Sequence, residues 1–261
     1  MTTELLDRVA VVTGGGRGIG AAIARELAAS GAHVVVSGRS EDVLAAVVDE
    51  VRSAGGRADL ALCDVARPED VARLRDRVHE LAGPATIVVN NAGIARSAKL
   101  ADTDEELWRE VIETNLTGAY RVTRAFHADV VAAGRRGRFI YIGSTASKVG
   151  FYYTSAYCAS KHGLLGMSRS LAFELAAKGP TVNCVCPGWV ETDMAQSAVD
   201  NIVARTGRSA EAARRELENM SPMRRFMTPG EVSAVVRFLA GDGAAGVTGQ
   251  AWNVDGGQVM I

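Results

Sequence analysis

Ser144, Tyr157 and Lys161 are the residues whose types and spacing could do chemistry in this chain. Ser144 follows the apolar run FIYIG, Tyr157 comes thirteen residues later, and Lys161 four after that. A four-residue step on a helix puts two side chains on one face. Tyr157 and Lys161 would therefore point the same way, toward the carboxyl end of the strand that carries Ser144. A nearby positive charge favours phenolate and lowers a tyrosine pKa from about 10 toward neutrality. A hydroxyl tuned in that way can give or take a proton at working pH. Alone, a Y-x-x-x-K step is common on ordinary surface helices, so the rest of the chain decides its meaning.

A second feature is the run TGGGRGIG (13–20), between an apolar run and a helical pattern. Glycines there let backbone amides approach a pyrophosphate at a helix N-terminus. The spacing of Gly14, Gly18 and Gly20 is G-x-x-x-G-x-G rather than the commoner G-x-G-x-x-G. Asn115 lies one and two turns beyond Val111 and Leu107, on their apolar stripe. A buried amide costs free energy there unless it is hydrogen-bonded.

The elements that must position these residues alternate along the chain. RVAVVT (8–13), HVVVS (33–37), ADLALCD (58–64), TIVVN (86–90), RFIYIGS, TVNCVC and QAWNV read as strands. Helical patterns separate them, one beginning near Pro68, another near Ser155 and the last near Pro229. Thr103 is expected to open a long helix, with Glu106 completing a capping box. The basic run GRRGR (134–138) is expected to be a solvated loop. Short apolar strands alternating with helices imply an α/β fold, a Rossmann-type doubly wound parallel sheet covered on both faces. The 261 residues suit one domain, and no linker or repeat is visible.

Composition narrows the function classes. Basic and acidic residues balance at 29 to 30, with no basic stripe, which argues against nucleic acid. No apolar run approaches the length of about 18 that a membrane span needs, and the N-terminus lacks a secretory pattern. A cytoplasmic protein is expected. Cys63, Cys158, Cys184 and Cys186 sit in or beside apolar runs without metal-ligand spacing, so buried reduced thiols and no metal are expected.

Taken together, TGGGRGIG, Asp64 in CDV, NNAG (90–93), Asn115, Ser144, YCASK (157–161) and PGWVET (187–192) resemble the short-chain dehydrogenase/reductase family, in order, from Val9 to Gly257. The resemblance implies roles residue by residue. Gly14, Gly18, Ile19 and Gly20 would line the diphosphate, and Asp64 and Val65 would hold the adenine. Asn91, Ala92 and Gly93 would pass beneath the cofactor, and Pro187, Gly188, Val190 and Thr192 would flank the nicotinamide amide. Asn115, Ser144, Tyr157 and Lys161 match the family's tetrad. Asn115 would hold a water linking Lys161 to solvent, and Ser144 would bind the substrate oxygen. Tyr157 would pass the proton, and Lys161 would bind the ribose and depress the Tyr157 pKa. Relatives are usually homotetramers.

NAD enzymes of this architecture usually carry Asp or Glu about 20 residues past the glycine turn. Here that place holds Gly38, followed by Arg39, and Arg17 sits inside the turn. Two guanidinium groups without a carboxylate suit a 2′-phosphate. NADP(H) is therefore expected ahead of NAD(H), although some NAD-using relatives also have Gly at the first place.

The segment from 191 to about 227 corresponds to the family's substrate lid, and its AEAARRELE stretch resembles that of 3-hydroxybutyrate dehydrogenases. Those relatives grip a carboxylate through Gln, His and Lys at positions where this chain has Ala95, Ala146 and Thr154. Phe151, Tyr152, Tyr153, Trp189 and Met194 gather near the site in a chain with only 5% aromatics, which suggests a wide apolar pocket. Arg96 is the one nearby cation that could take an acid. ETNLTGAYRVT, ASKHG and NCVCPGWVETDMA also resemble aromatic-polyketide ketoreductases and β-ketoacyl thioester reductases. The polyketide enzymes often have a Pro-Gly-Gly-like run after NNAG, whereas this chain has IARSAKL, which argues against a ring-directed polyketide. The expectation is a reductase of a bulky, uncharged or carrier-tethered ketone. The alternatives are an NAD-dependent secondary alcohol or 3-hydroxyacyl dehydrogenase, and a redox-sensing regulator without turnover.

Overall fold

The computed structural model describes residues 4–261. Seven parallel strands form one sheet: β1 (Val9–Thr13), β2 (His33–Gly38), β3 (Arg57–Leu62), β4 (Ile87–Asn90), β5 (Arg138–Ile142), β6 (Thr181–Pro187) and β7 (Ala251–Val254). Their order is β3-β2-β1-β4-β5-β6-β7. The chain therefore steps outward from β1, returns, and continues on the other side through β4. This makes β1/β4 the switch point, where ligands of such sheets bind outside the carboxyl ends of the strands. The strands are continuous apolar runs because both faces are covered.

Alternation along β1 shows the two faces. Ala10 and Val12 pack with α1 (Gly18–Ala29), α2 (Glu41–Ser53) and α9 (Pro229–Ala240). Val11 points the other way, toward α3 (Pro68–Ala82), α5 (Gly118–Ala132) and α6 (Ser155–Ala176). The lid helices α7 (Asp193–Thr206) and α8 (Ala210–Glu218) share a small cluster of their own, with Val199, Ala213, Leu217 and Phe226 buried in it.

Two local expectations are corrected. The helix α4 (Glu105–Ile112) is capped by Asp104, whose carboxylate accepts from Leu107 N at 2.8 Å. Thr103 instead turns its hydroxyl back to Lys99 O at 2.9 Å. Aspartate is as good a cap as threonine, and the helix begins one residue later than the capping box requires. The second correction concerns GRRGR. Arg138 begins β5 and is fully buried. Its guanidinium donates to Leu239 O at 3.1 Å and Gly241 O at 2.9 Å, at the end of α9, and to Arg135 O at 2.7 Å. A helix C-terminus leaves carbonyls without internal partners, and a buried arginine supplies the donors.

Candidate active site

The glycine turn joins β1 to α1 at the switch point. Gly14 and Gly18 hold φ of +63° and +52°, a region that favours glycine. At Gly20 a Cβ would lie 2.1 Å from Gly14 O, so the helix could not approach the turn with any other residue there. Asn91 Nδ2 donates to Thr13 O at 2.9 Å and Gly14 O at 3.1 Å. Thr13 Oγ1 accepts from the backbone of both Asn91 and Ala92 at 3.1 Å. The NNAG run is thus stitched to the turn. The first turn of α1 has no side-chain cap and no acidic residue, which leaves the positive end of the helix to an outside anion. A dinucleotide fits this cradle.

The residues at the adenosine end also fit. Arg39 stands exposed just past β2, with no ion-pair partner among the described residues. Arg17 lies 4.0 Å from Asp193 at the start of α7, with both side chains exposed. Asp64 Oδ1 accepts from Ala66 N at 3.0 Å, closing a short turn after β3, and Val65 is buried beside Gly118. On the far side of the cleft, Thr192 caps α7 and its methyl meets Gly18, while Val190 pairs with Met227. Ile19 packs against the core below, and Gly188 N donates to Val254 O at 3.1 Å beyond Pro187.

Ser144 lies two residues past the end of β5, and its hydroxyl accepts from Ala146 N at 3.1 Å. Tyr157 and Lys161 share one face of α6, with the Lys161 Nζ 5.7 Å from the centre of the Tyr157 ring. Lys161 is 4% exposed and donates to Ile142 O at 2.8 Å. Burial brings its ammonium down to about 8. Burial also pushes the Tyr157 phenol above its ordinary value, and nearby Ser144 offsets only part of the rise. The expected depression of the Tyr157 phenol is not seen: loss of water on burial is the largest influence on it and raises it. The phenol is held protonated.

Asn115 is 1% exposed, on a π-helical turn, Glu113–Thr117, between α4 and α5. Its Oδ1 accepts from Ile94 N at 2.8 Å, and its Nδ2 donates to Ile94 O at 2.9 Å and Ser160 Oγ at 3.1 Å. Both amide hydrogens are spent on protein, so the side chain is a strut for the loop after β4 rather than a donor to water. Gly93 lets this loop close: a Cβ there would stand 3.2 Å from Asn115 Oδ1 and 3.6 Å from Lys161 Nζ.

The pocket candidates divide. Trp189 stacks on Phe226 of the lid at 6.1 Å, and Met194 and Tyr153 are exposed. Tyr153 adopts φ +63°, an unusual conformation for an aromatic residue, and its carbonyl accepts from Ala98 N at 2.8 Å. That bond ties the loop before α6 to the loop carrying Ala95. Thr154 donates to Phe151 O at 3.0 Å, and Ala146 is buried rather than open to a cleft. Phe151 faces the C-terminal segment, across a cavity shared with Met220 and Gln258. Arg96 is paired with Glu110 at 3.2 Å, which removes it as an unopposed acid-binding cation. Sequence reasoning missed Ser160, Glu110 and Asp193. Only Ser160 left a signal, three residues after Tyr157 on the same helix.

The family described as Enoyl-(Acyl carrier protein) reductase matches residues 14–258. A Streptomyces coelicolor protein named “Putative ketoacyl reductase” is 42% identical over 252 residues, covering 96% of this chain and 97% of its own. The 3-oxoacyl acyl-carrier-protein reductase of Escherichia coli K12 is 37% identical, covering 97% of this chain and 98% of its own. Among solved structures, a variant of the actinorhodin polyketide ketoreductase with NADPH superposes at TM-score 0.93 and 42% identity, covering 99% of both chains.

Proposed function

The chain belongs to the short-chain dehydrogenase/reductase family, and we propose that within it the protein reduces a bulky or carrier-tethered ketone to a secondary alcohol with NADPH. The carrying observation is the meeting of Ser144, a protonated Tyr157 and Lys161 beside an uncapped, glycine-lined helix N-terminus. Bound at that N-terminus, the reduced nicotinamide cofactor supplies hydride. Ser144 donates a hydrogen bond to the ketone oxygen. Tyr157 gives that oxygen its phenolic proton as charge develops there, and carbonyl, hydride and proton together make the alcohol. Lys161 holds the nicotinamide ribose. Arg39, unpaired just after Gly38, where NAD enzymes place a carboxylate, supports NADPH over NADH.

Similarity to ketoacyl reductases over nearly the whole chain supports a β-ketoacyl group as substrate, and outweighs the IARSAKL departure from the polyketide pattern. Within the same reading the protein is one domain with residues 191–227 as its lid, and a cytoplasmic homotetramer. Half-exposed Phe238 and Trp252, edge to face at 5.9 Å beside the sheet edge, support a partner surface. No described helix is long and apolar enough to cross a membrane. The test is a panel of β-ketoacyl thioesters, aryl ketones and acetoacetate with NADPH and NADH, read by loss of nicotinamide absorbance. Reduction of thioesters with NADPH supports the reading; oxidation of alcohols with NAD alone overturns it.

A further inference from the structure

Arg214, on α8 of the lid, gathers three groups around one side chain. Its guanidinium holds both oxygens of Glu191, one of them at 3.2 Å, and its Nε donates to Glu218 Oε1 at 2.8 Å, one turn further along the helix. Its Cζ lies 4.5 Å from the centre of the Phe226 ring. Phe226 is buried and stacks in turn on Trp189, with ring centres 6.1 Å apart and planes 25° from parallel. Guanidinium, phenyl and indole are therefore packed in series. An exposed ion pair by itself contributes little. Here two carboxylates take the edge of the guanidinium while a ring covers its face, an arrangement that a planar arginine can complete and a lysine cannot.

The segment that Arg214 grips crosses the carboxyl ends of the strands, where ligands of such sheets bind. At one end Gly188 N donates to Val254 O at 3.1 Å, which ties the segment to β7. At the other the Thr192 methyl meets Gly18 of the glycine turn, where a Cβ would stand 3.0 Å from it. Between them Met227 N donates to Trp189 O at 2.8 Å and Glu191 N donates to Met227 O at 2.9 Å. These bonds fix the main chain. The Trp189 indole is only partly buried and makes no side-chain hydrogen bond among the described residues, so packing alone holds it. Its packing partners, Phe226 among them, belong to the small lid cluster with Ala213 and Leu217, the neighbours of Arg214 on α8.

We propose that Arg214 is a positioning residue for the reduction: through Phe226 and Glu191 it fixes the Trp189 indole as one wall of the space offered to the ketone, and so favours bulky ketones over small ones. The inference rests on the reductase reading and deepens it. The hydrogen bonds and ion pairs of Arg214 go to Glu191 and Glu218, not to Ser144, Tyr157 or Lys161, so it acts on fit and not on the proton. A wall that is already ordered costs no side-chain entropy when a ligand packs on it. A bulky ketone buries more apolar surface there than a small one and gains more from the order.

The experiment compares wild type, Arg214→Ala and Arg214→Lys on two β-ketoacyl thioesters, one with a methyl and one with a phenyl beside the ketone, at saturating NADPH. Arg214→Ala should raise KM for the phenyl substrate about tenfold with kcat within about threefold, and lower the phenyl-to-methyl ratio of kcat/KM at least about fivefold, the worth of a stacked and bidentate guanidinium. A mere loss of folded protein would lower kcat for both substrates alike and leave KM and the ratio where they were. Arg214→Lys should recover less than half of the lost ratio, because an ammonium cannot both stack and bind two carboxylates. Adding Glu191→Gln to Arg214→Ala should change the ratio no further, since the pair is already broken. Acrylamide quenching of tryptophan fluorescence, with Trp189→Phe as the subtracted reference, reads the indole directly and should rise in Arg214→Ala. Circular dichroism controls for folding. An unchanged ratio or unchanged quenching in folded Arg214→Ala overturns the inference while leaving the reductase reading intact. Failure of the wild type to reduce any ketone overturns that reading, and this inference with it.

Discussion

Replacing Asn115 by leucine separates a strut from a proton relay. The two side chains are of similar size, so the change removes hydrogen bonds while nearly preserving volume. Three are lost: from Ile94 N at 2.8 Å, to Ile94 O at 2.9 Å and to Ser160 Oγ at 3.1 Å. Ser160 still donates to Tyr157 O at 2.7 Å, so the uncompensated groups are the amide and carbonyl of Ile94. At about 1 kcal/mol per bond, the loss should be about 3 kcal/mol of folding stability. In urea, with a slope of about 2–3 kcal/mol/M, the unfolding midpoint should fall by about 1–1.5 M. The loop from Ile94 to Arg96 should loosen with it, so KM for the ketone should rise. Tryptophan fluorescence in a urea series, with kinetics on the folded fraction, measures both. An unchanged midpoint with a collapsed kcat would refute the reasoning, because Asn115 would then act on the chemistry and not on the loop.

Other expectations follow from the cofactor cleft and the pocket. Arg39→Ala should raise KM for NADPH about tenfold and leave NADH nearly untouched, because only the 2′-phosphate loses a charge-assisted bond; a wild-type preference for NADH overturns this. Lys161 has a folded value of about 8 against 10.5 when free, so it gives up its proton earlier in the folded protein. Cofactor affinity should therefore fall as pH rises through about 8, and Lys161→Ala should abolish that dependence in a fluorescence titration. The same sign makes wild-type folding stability rise from pH 8 toward 10.5, where the unfolded chain still binds the proton. Acetoacetate should be a poor substrate, since Arg96 is already paired with Glu110; Arg96→Ala should leave its kcat/KM within about twofold, and a larger loss would show that Arg96 does grip the acid.

What was legible in the sequence depended on distance along the chain. The step from Tyr157 to Lys161 and the turn from Gly14 to Gly20 are local, so helix geometry and glycine chemistry sufficed to place them. The parallel sheet was legible because each strand is an unbroken apolar run. The reach of Lys161 to Ile142, nineteen residues away, was not, nor was the burial that raises the Tyr157 phenol. Arg138 looked like surface because its partners, Leu239 and Gly241, lie about a hundred residues further on. The pairing of Arg96 with Glu110 depends on how the loop after β4 folds over α4, which no local pattern records. Asn115 was recognisable as a buried amide, but its partner Ile94 is a backbone group and has no residue-type signature.

The central claim is that Tyr157 donates the proton to a ketone reduced by NADPH. Its most direct test is the wild-type protein and Tyr157→Phe on a β-ketoacyl thioester, followed by NADPH absorbance, with cofactor affinity measured separately by fluorescence. The phenylalanine variant keeps the ring beside Lys161 and loses only the hydroxyl. Turnover should fall at least about a hundredfold, the contribution of a general acid, while NADPH affinity stays within about twofold. Comparable turnover in wild type and Tyr157→Phe, or no NADPH-dependent reduction by the wild type, would contradict the account.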